Sequence, residues 1–201
     1  FYKVAPVNSY GTGSLTREVN ATTNKYVSTN TTASGSITVG SDTLSGVYAS
    51  ECLTSASIIS YYKFIGYWPS EVNAYGQVFV VTANDSISVE LHSFTDTSCS
   101  LSSVITKTLS NNVTVGSASG SNYPVTYNNQ TQAITVHTTA AETTTETLYS
   151  DVLDWTVGTP RVLSMSGQFK YGLWTLSGTT LYLANDSSLI APTSAGTVPL
   201  R

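Results

Sequence analysis

The sequence predicts an all-β fold, a Greek-key β-sandwich or barrel, and three observations lead there. Several short runs alternate apolar and polar residues, Gly and Asn punctuate those runs, and helical periodicity is scarce. The clearest run is 86–92, where Ile87, Val89 and Leu91 fall on one face because successive side chains of a strand point opposite ways. Residues 132–137 repeat the pattern with Ile134 and Val136. In chain order, strands are expected at 35–39, 43–49, 56–67, 77–83, 86–92, 104–109, 132–137, 145–157, 169–176 and 179–183. Short strands at this spacing, with polar turns between them, are the mark of a sandwich or barrel. Helix candidates are two: a turn near 69–73, and 140–147, whose many β-branched threonines argue against it.

Composition narrows the setting. Close to a third of the 201 residues are Ser or Thr, whereas Asp, Glu, Lys and Arg make up 10%, against roughly 25% in an ordinary soluble domain. A surface kept in water by hydroxyls and amides suits the outside of a cell, where Asn-x-Ser/Thr sites can receive sugars. The chain begins at Phe1 rather than Met, which reads as a mature extracellular product whose export signal has been removed. The run of about 18 apolar residues needed to span a membrane is missing. At this length one core is expected, giving a hinged N-terminal segment over 1–14 and a single β domain over 15–201.

The two cysteines, Cys52 and Cys99, have no CxxC or His neighbour at ligand spacing, so metal and redox motifs are absent. In an exported chain the default is one disulfide, valued at roughly 4 kcal/mol by loop entropy; two buried thiols are the alternative. Six sequons begin at Asn20, Asn30, Asn84, Asn112, Asn129 and Asn185; five lie in or beside polar stretches that read as turns or strand ends, and Asn30 sits in the most polar segment of the N-terminal quarter. Composition alone would supply about four, so placement rather than number makes them candidate N-glycan sites.

Aromatic residues crowd two places, Tyr61, Tyr62, Phe64, Tyr67 and Trp68 in one expected strand and Phe169, Tyr171 and Trp174 in another. Exposed rings would stack on sugars; buried ones would pack a core or pair across strands, and the second use is the commoner. Catalytic patterns are nearly lacking. His92 and His137 take the polar parity of their strands and are expected in solvent, Gly116–Gly120 has Ala at the position a nucleophile would need, and Asp151 and Asp154 point to opposite faces of an expected strand. With five Lys, three Arg and a net charge of −4, no basic patch for nucleic acid is expected. The chain therefore reads as a non-enzyme without cofactors, apart from covalent N-glycans.

The first ten residues are rich in β-formers, notably Phe1, Tyr2, Val4, Ala5 and Val7, and Gly11-Thr12-Gly13-Ser14 follows as a hinge. Pro6 disfavours a central strand. In composition and layout the whole chain resembles the subunits of archaeal thread filaments, glycosylated pilin-like β domains joined head to tail by donor-strand complementation. The resemblance implies an Ig-like, pilin-like sandwich with residues 1–10 as donor strand and the six sequon asparagines as glycan sites. It also implies a homopolymer of identical subunits at the cell surface, with a role in adhesion or biofilm and with surface glycans or other cells as further partners. No helical pilin N-terminus is present. A carbohydrate-binding or adhesin module, and a viral surface or capsid β domain, are the alternatives.

Overall fold

The all-β expectation holds. The computed structural model describes residues 27–201 except residue 153, together with four two-residue strands in the N-terminal segment. Those are β1 (Tyr2–Lys3), β2 (Val7–Asn8), β3 (Gly11–Thr12) and β4 (Glu18–Val19); β1 pairs with β4 and β2 with β3. A small hairpin of β5 (Ile37–Val39) and β6 (Asp42–Leu44) comes next. The main sheet then runs through β7 (Val47–Ala49), β8 (Ala74–Ala83), β9 (Ser86–Phe94), β10 (Ser102–Val115), β11 (Asn122–Val136), β12 (Arg161–Ser177), β13 (Thr180–Leu183) and β14 (Pro199–Leu200).

The eight strands of this sheet lie side by side in sequence order and each adjacent pair is antiparallel, so the topology is an up-and-down meander with no Greek-key crossing among the described strands. The sheet curls until its two ends meet. Ala49 and Arg201 exchange two backbone hydrogen bonds of 3.0 Å each, bringing the last strand beside the first. Such curling gives the sheet an inside and an outside.

Two helices fall where the sequence favours strands. The helix α1 (Ala56–Phe64) occupies most of the expected strand 56–67. Its Ile and Tyr residues prefer strands locally, but Ile59 and Tyr62, three apart, fall on one helical face. Ile59 is buried with Trp68, Val72 and Tyr75, and the Tyr62 ring stacks on Trp68 at 4.4 Å. Tertiary burial overrides propensity here, and the outward residues, such as Phe64 at 89% exposure, are left in solvent. The turn expected near 69–73 is present, with the Val72 N–H donating to the Pro69 carbonyl at 3.2 Å.

The second helix, α2 (Thr139–Leu148), takes the stretch whose threonines argued against it. Thr138 caps it by accepting from the Ala141 N–H at 3.1 Å. Thr143 and Thr147 donate their hydroxyls to the carbonyls four residues back, at 3.1 and 2.9 Å, which satisfies polar groups that would otherwise compete with the helix. Ala141 and Thr145, four apart, make the buried face. The expected strand 145–157 is therefore the end of a helix and a loop, anchored where the Trp155 indole donates to the Val152 carbonyl at 2.8 Å.

Inside the curled sheet, Phe79, Val81, Ile87, Tyr127 and Trp174 pack under the β5–β6 hairpin, while α2 covers Val104, Ile134 and Val136 and α1 covers Tyr75. The outside is covered too. Val78 and Val80 face outward yet are fully buried beneath Val27, Ala33 and the cystine. This two-sided cover explains the unbroken apolar run 78–81, which reads like a strand buried on both faces. Gly76 is required by the same contact, because a Cβ there would stand 2.1 Å from Cγ2 of Val27.

Cys52 and Cys99 are joined, with an S–S distance of 2.08 Å across 47 positions. Replacing both by Ser should lower the unfolding free energy by about 4 kcal/mol if chain entropy dominates. Denaturant titration of the oxidised and Ser/Ser proteins checks this; equal stabilities would contradict it.

Candidate functional site

The candidate glycan sites separate by environment. Asn30, Asn84, Asn112 and Asn185 are exposed. Asn84 sits in the β8–β9 turn, where its side-chain oxygen accepts from the Ser36 N–H at 3.0 Å, and Asn112 interrupts the β10–β11 register with a φ of 53°. Asn129 corrects the expectation: it lies within β11 at 5% exposure, its Oδ1 accepting from the Ser110 hydroxyl at 2.7 Å. A sugar transferase cannot reach that amide in the folded chain. Asn20 lies outside the described residues. So do Phe1, Val4 and Ala5 of the candidate donor strand, whereas Tyr2 and Val7 fall in the short strands β1 and β2.

His92 is the second correction. It is 5% exposed rather than solvated, and its Nε2 lies 2.8 Å from Oε2 of Glu90, itself 3% exposed. The two residues share the outward face of β9, as their spacing requires. The segment beginning at Val27 crosses this face. Its entry is fixed by Val27 N–H donating to the Ser50 carbonyl at 3.0 Å, and its exit by Ser34 N–H donating to the Val81 carbonyl at 2.9 Å. Between these points Thr29 donates its hydroxyl to Oε1 of Glu90 at 2.7 Å, and Thr31 donates to the same oxygen. A groove of about 870 Å³ runs alongside, lined also by Lys107 and by His137, which is exposed as expected.

Burial alone would push the Glu90 carboxyl up, but hydrogen bonds from His92, Thr31 and Thr29 outweigh it and hold its pKa below the usual value. His137 is pushed down by its own partial burial and by His92 nearby. Oε1 of Glu90 thus fastens the 27–34 segment to the sheet, while Oε2 is engaged by His92 of the same strand. Strand parity shows Glu90 and His92 on one face, but it assigns that face to solvent because nothing local reveals the covering segment.

The other expected sites do not assemble. Asp151 and Asp154 are exposed in the loop after α2, and residues 116–121 connect β10 to β11. Among the described residues, no cluster of three or more His, Cys, Asp or Glu is placed to hold a metal.

Part of one strand's outer side meets no described strand. The strand β12 pairs with β11 along nearly its whole length, from Arg161 to Thr175. On its other side it meets β13 only over Trp174–Ser177, and beyond that Tyr171 exchanges hydrogen bonds of 2.7 and 2.9 Å with Ser187. Because Tyr171 turns its N–H and C=O away from β11, Phe169, two residues earlier, turns its own the same way. No described strand meets them. A bulge opposite Gln130, with Gly167 at a φ of 68°, divides this edge into two short runs.

No family model matches this chain, and no curated protein matches it in sequence.

The geometry at Glu90 gives a signed pH dependence. Because the folded pKa lies below the unfolded value of about 4.3, Glu90 stabilises the protein above that value, and its contribution is lost as pH falls through the folded pKa. The depressed pKa of His137 acts in the same direction, from about pH 6.5 downward. Glu90→Gln should flatten the acid limb of the stability profile and speed amide exchange at Thr31 at neutral pH. Glu90→Ala, which leaves two hydroxyls and His92 without their acceptor, should cost about 2 kcal/mol. Identical acid limbs in the wild type and Glu90→Gln would contradict this reading.

Proposed function

We propose that this chain is a structural subunit of an extracellular filament, assembling by addition of an N-terminal strand from one copy to the open edge of β12 in the next. The observation that carries the reading is that no described strand pairs with the outward side of β12 before Tyr171, Phe169 included. An edge with free backbone groups is a template for another strand, and a bulge within it limits indiscriminate pairing. Residues 161–170 extend over about 33 Å at the usual rise per residue, which matches the reach of residues 1–10. Pro6 is compatible with that role, since an added strand bonds on one side only and the proline nitrogen can face away. A head-to-tail contact of this kind, repeated without closing, builds a filament.

The low-charge surface and the disulfide support an exported setting. The exposed asparagines 30, 84, 112 and 185 carry N-glycans in this reading, and Asn129 does not. Peptide mapping of native material should place added sugar mass on those four peptides. Finding all four bare would remove the glycoprotein part of the proposal.

Assembly has its own test. The full chain should form filaments visible by electron microscopy, and deletion of residues 1–14 should leave a soluble subunit that binds a synthetic peptide of residues 1–10. Phe169→Pro removes the outward N–H while sparing the β11 ladder, so it should block both filament growth and peptide binding. Normal filaments from either variant would refute the strand-addition reading.

A further inference from the structure

The inside of the curled sheet holds a second feature that filament assembly does not use. Apolar clusters fill it beneath the β5–β6 hairpin and beneath both helices. Between them remains a cavity of about 670 Å³, bounded by α1, the tyrosine that ends α2, and strands β8 to β13. Small curled sheets fill such space with side chains or use it for one small ligand. This volume falls in the range of small-molecule sites.

Several amide groups facing the space keep donors that no described residue accepts from. Asn129 is nine-tenths buried, and while its Oδ1 accepts from Ser110, its Nδ2 donates to no described residue. Gln132 accepts from the Tyr149 hydroxyl at 3.2 Å through Oε1, which leaves its Nε2 available. Gln77 also lines the cavity, with no side-chain hydrogen bond of its own among the described residues. Gln77 and Gln132 are half-buried, and together with Asn129 they bring three amides to one space, an arrangement suited to an occupant able to accept from them.

The rest of the lining narrows the chemistry. The Tyr62 ring borders the space and is held in place by its stack on Trp68, and Trp174 lines the space as well. The hydroxyls of Tyr67 and Tyr149 lie 3.4 Å apart. Burial raises the pKa values of Tyr62 and Tyr149, which keeps both phenols neutral. Lys170 and Asp186 are the lining charges, one of each sign, and Asp186 accepts from the Tyr127 hydroxyl at 3.2 Å. The site therefore offers ring faces, neutral hydroxyls and amides with no net charge.

We infer that this cavity binds a neutral mono- or disaccharide, whose hydroxyls accept from Asn129, Gln132 and Gln77 and whose C–H face packs on Tyr62 or Trp174. A singly charged ligand would meet a charge of its own sign in the lining, and a purely apolar one would leave the amides unpaired.

The test is titration of the full chain with a panel of neutral hexoses, pentoses, N-acetylhexosamines and their disaccharides at millimolar concentration. Binding is read by tryptophan fluorescence and by the side-chain amide resonance of Asn129. At least one member should saturate, moving that resonance. Gln132→Leu and Gln77→Leu should each weaken binding about tenfold, the loss of one good hydrogen bond. Lys107→Ala, in the outer groove, should leave it unchanged. Thermal unfolding of each variant shows whether it is folded, and the Asn129 resonance in the unmodified chain stands independently of the variants. The inference is overturned if no member of the panel binds, if indole binds and the sugars do not, or if binding ignores the glutamine changes. Filament formation bears on none of these outcomes, so the two readings fail separately.

Discussion

The closing contact between Ala49 and Arg201 sets the terms for the rest of the molecule. An eight-stranded meander has two edges and two faces, and each unpaired edge group or bare apolar face carries a cost. Joining the last strand to the first with two backbone hydrogen bonds settles one stretch of edge and turns a sheet into an enclosure. An enclosure must then be filled. Both helices pack on its inner face, which explains why α1 and α2 form where local preference opposes them: each buries an apolar face that only the curled sheet provides.

The outer face is organised by a different device. Glu90 gathers two threonine hydroxyls and His92, and so binds the 27–34 segment across Val78 and Val80. The cystine lies in the same outer cluster, so covalent and polar fastenings protect one apolar patch together. Buried carboxylates are costly unless well supplied with donors, and three donors here supply both oxygens. The chain thus spends one of its few acidic groups on attachment rather than on solubility.

Much of this was legible beforehand and some was not, for physical reasons. Strict alternation revealed β9 and the last part of β11 because those strands have one face on a continuous core, and the isolated cysteine pair left a single partner for each. The lengths of β10, β11 and β12 were underestimated because their outer ends lie on mixed, half-exposed surfaces where the period of two fades. The helix α1 was misread because Ile, Tyr and Phe are strand formers; the cue was the three-residue spacing of Ile59 and Tyr62. Strand parity places His92 in solvent on the assumption that polar residues on a strand face water, and Asn129 reads as accessible because its polar stretch resembles a turn or strand end. The 27–34 segment covers His92, and Asn129 lies on the inner face of β11 against Ser110.

Hydrogen exchange resolved to single amides tests the central claim of a meander closed at one seam and open along β12. The account predicts slow exchange at the Ala49 and Arg201 amides, comparable with the centre of β8, and fast exchange at the outward amide of Phe169 in the unassembled subunit. Fast exchange at Ala49 and Arg201 together with protection at Phe169 would contradict it, since the seam would then be open and the β12 edge already filled.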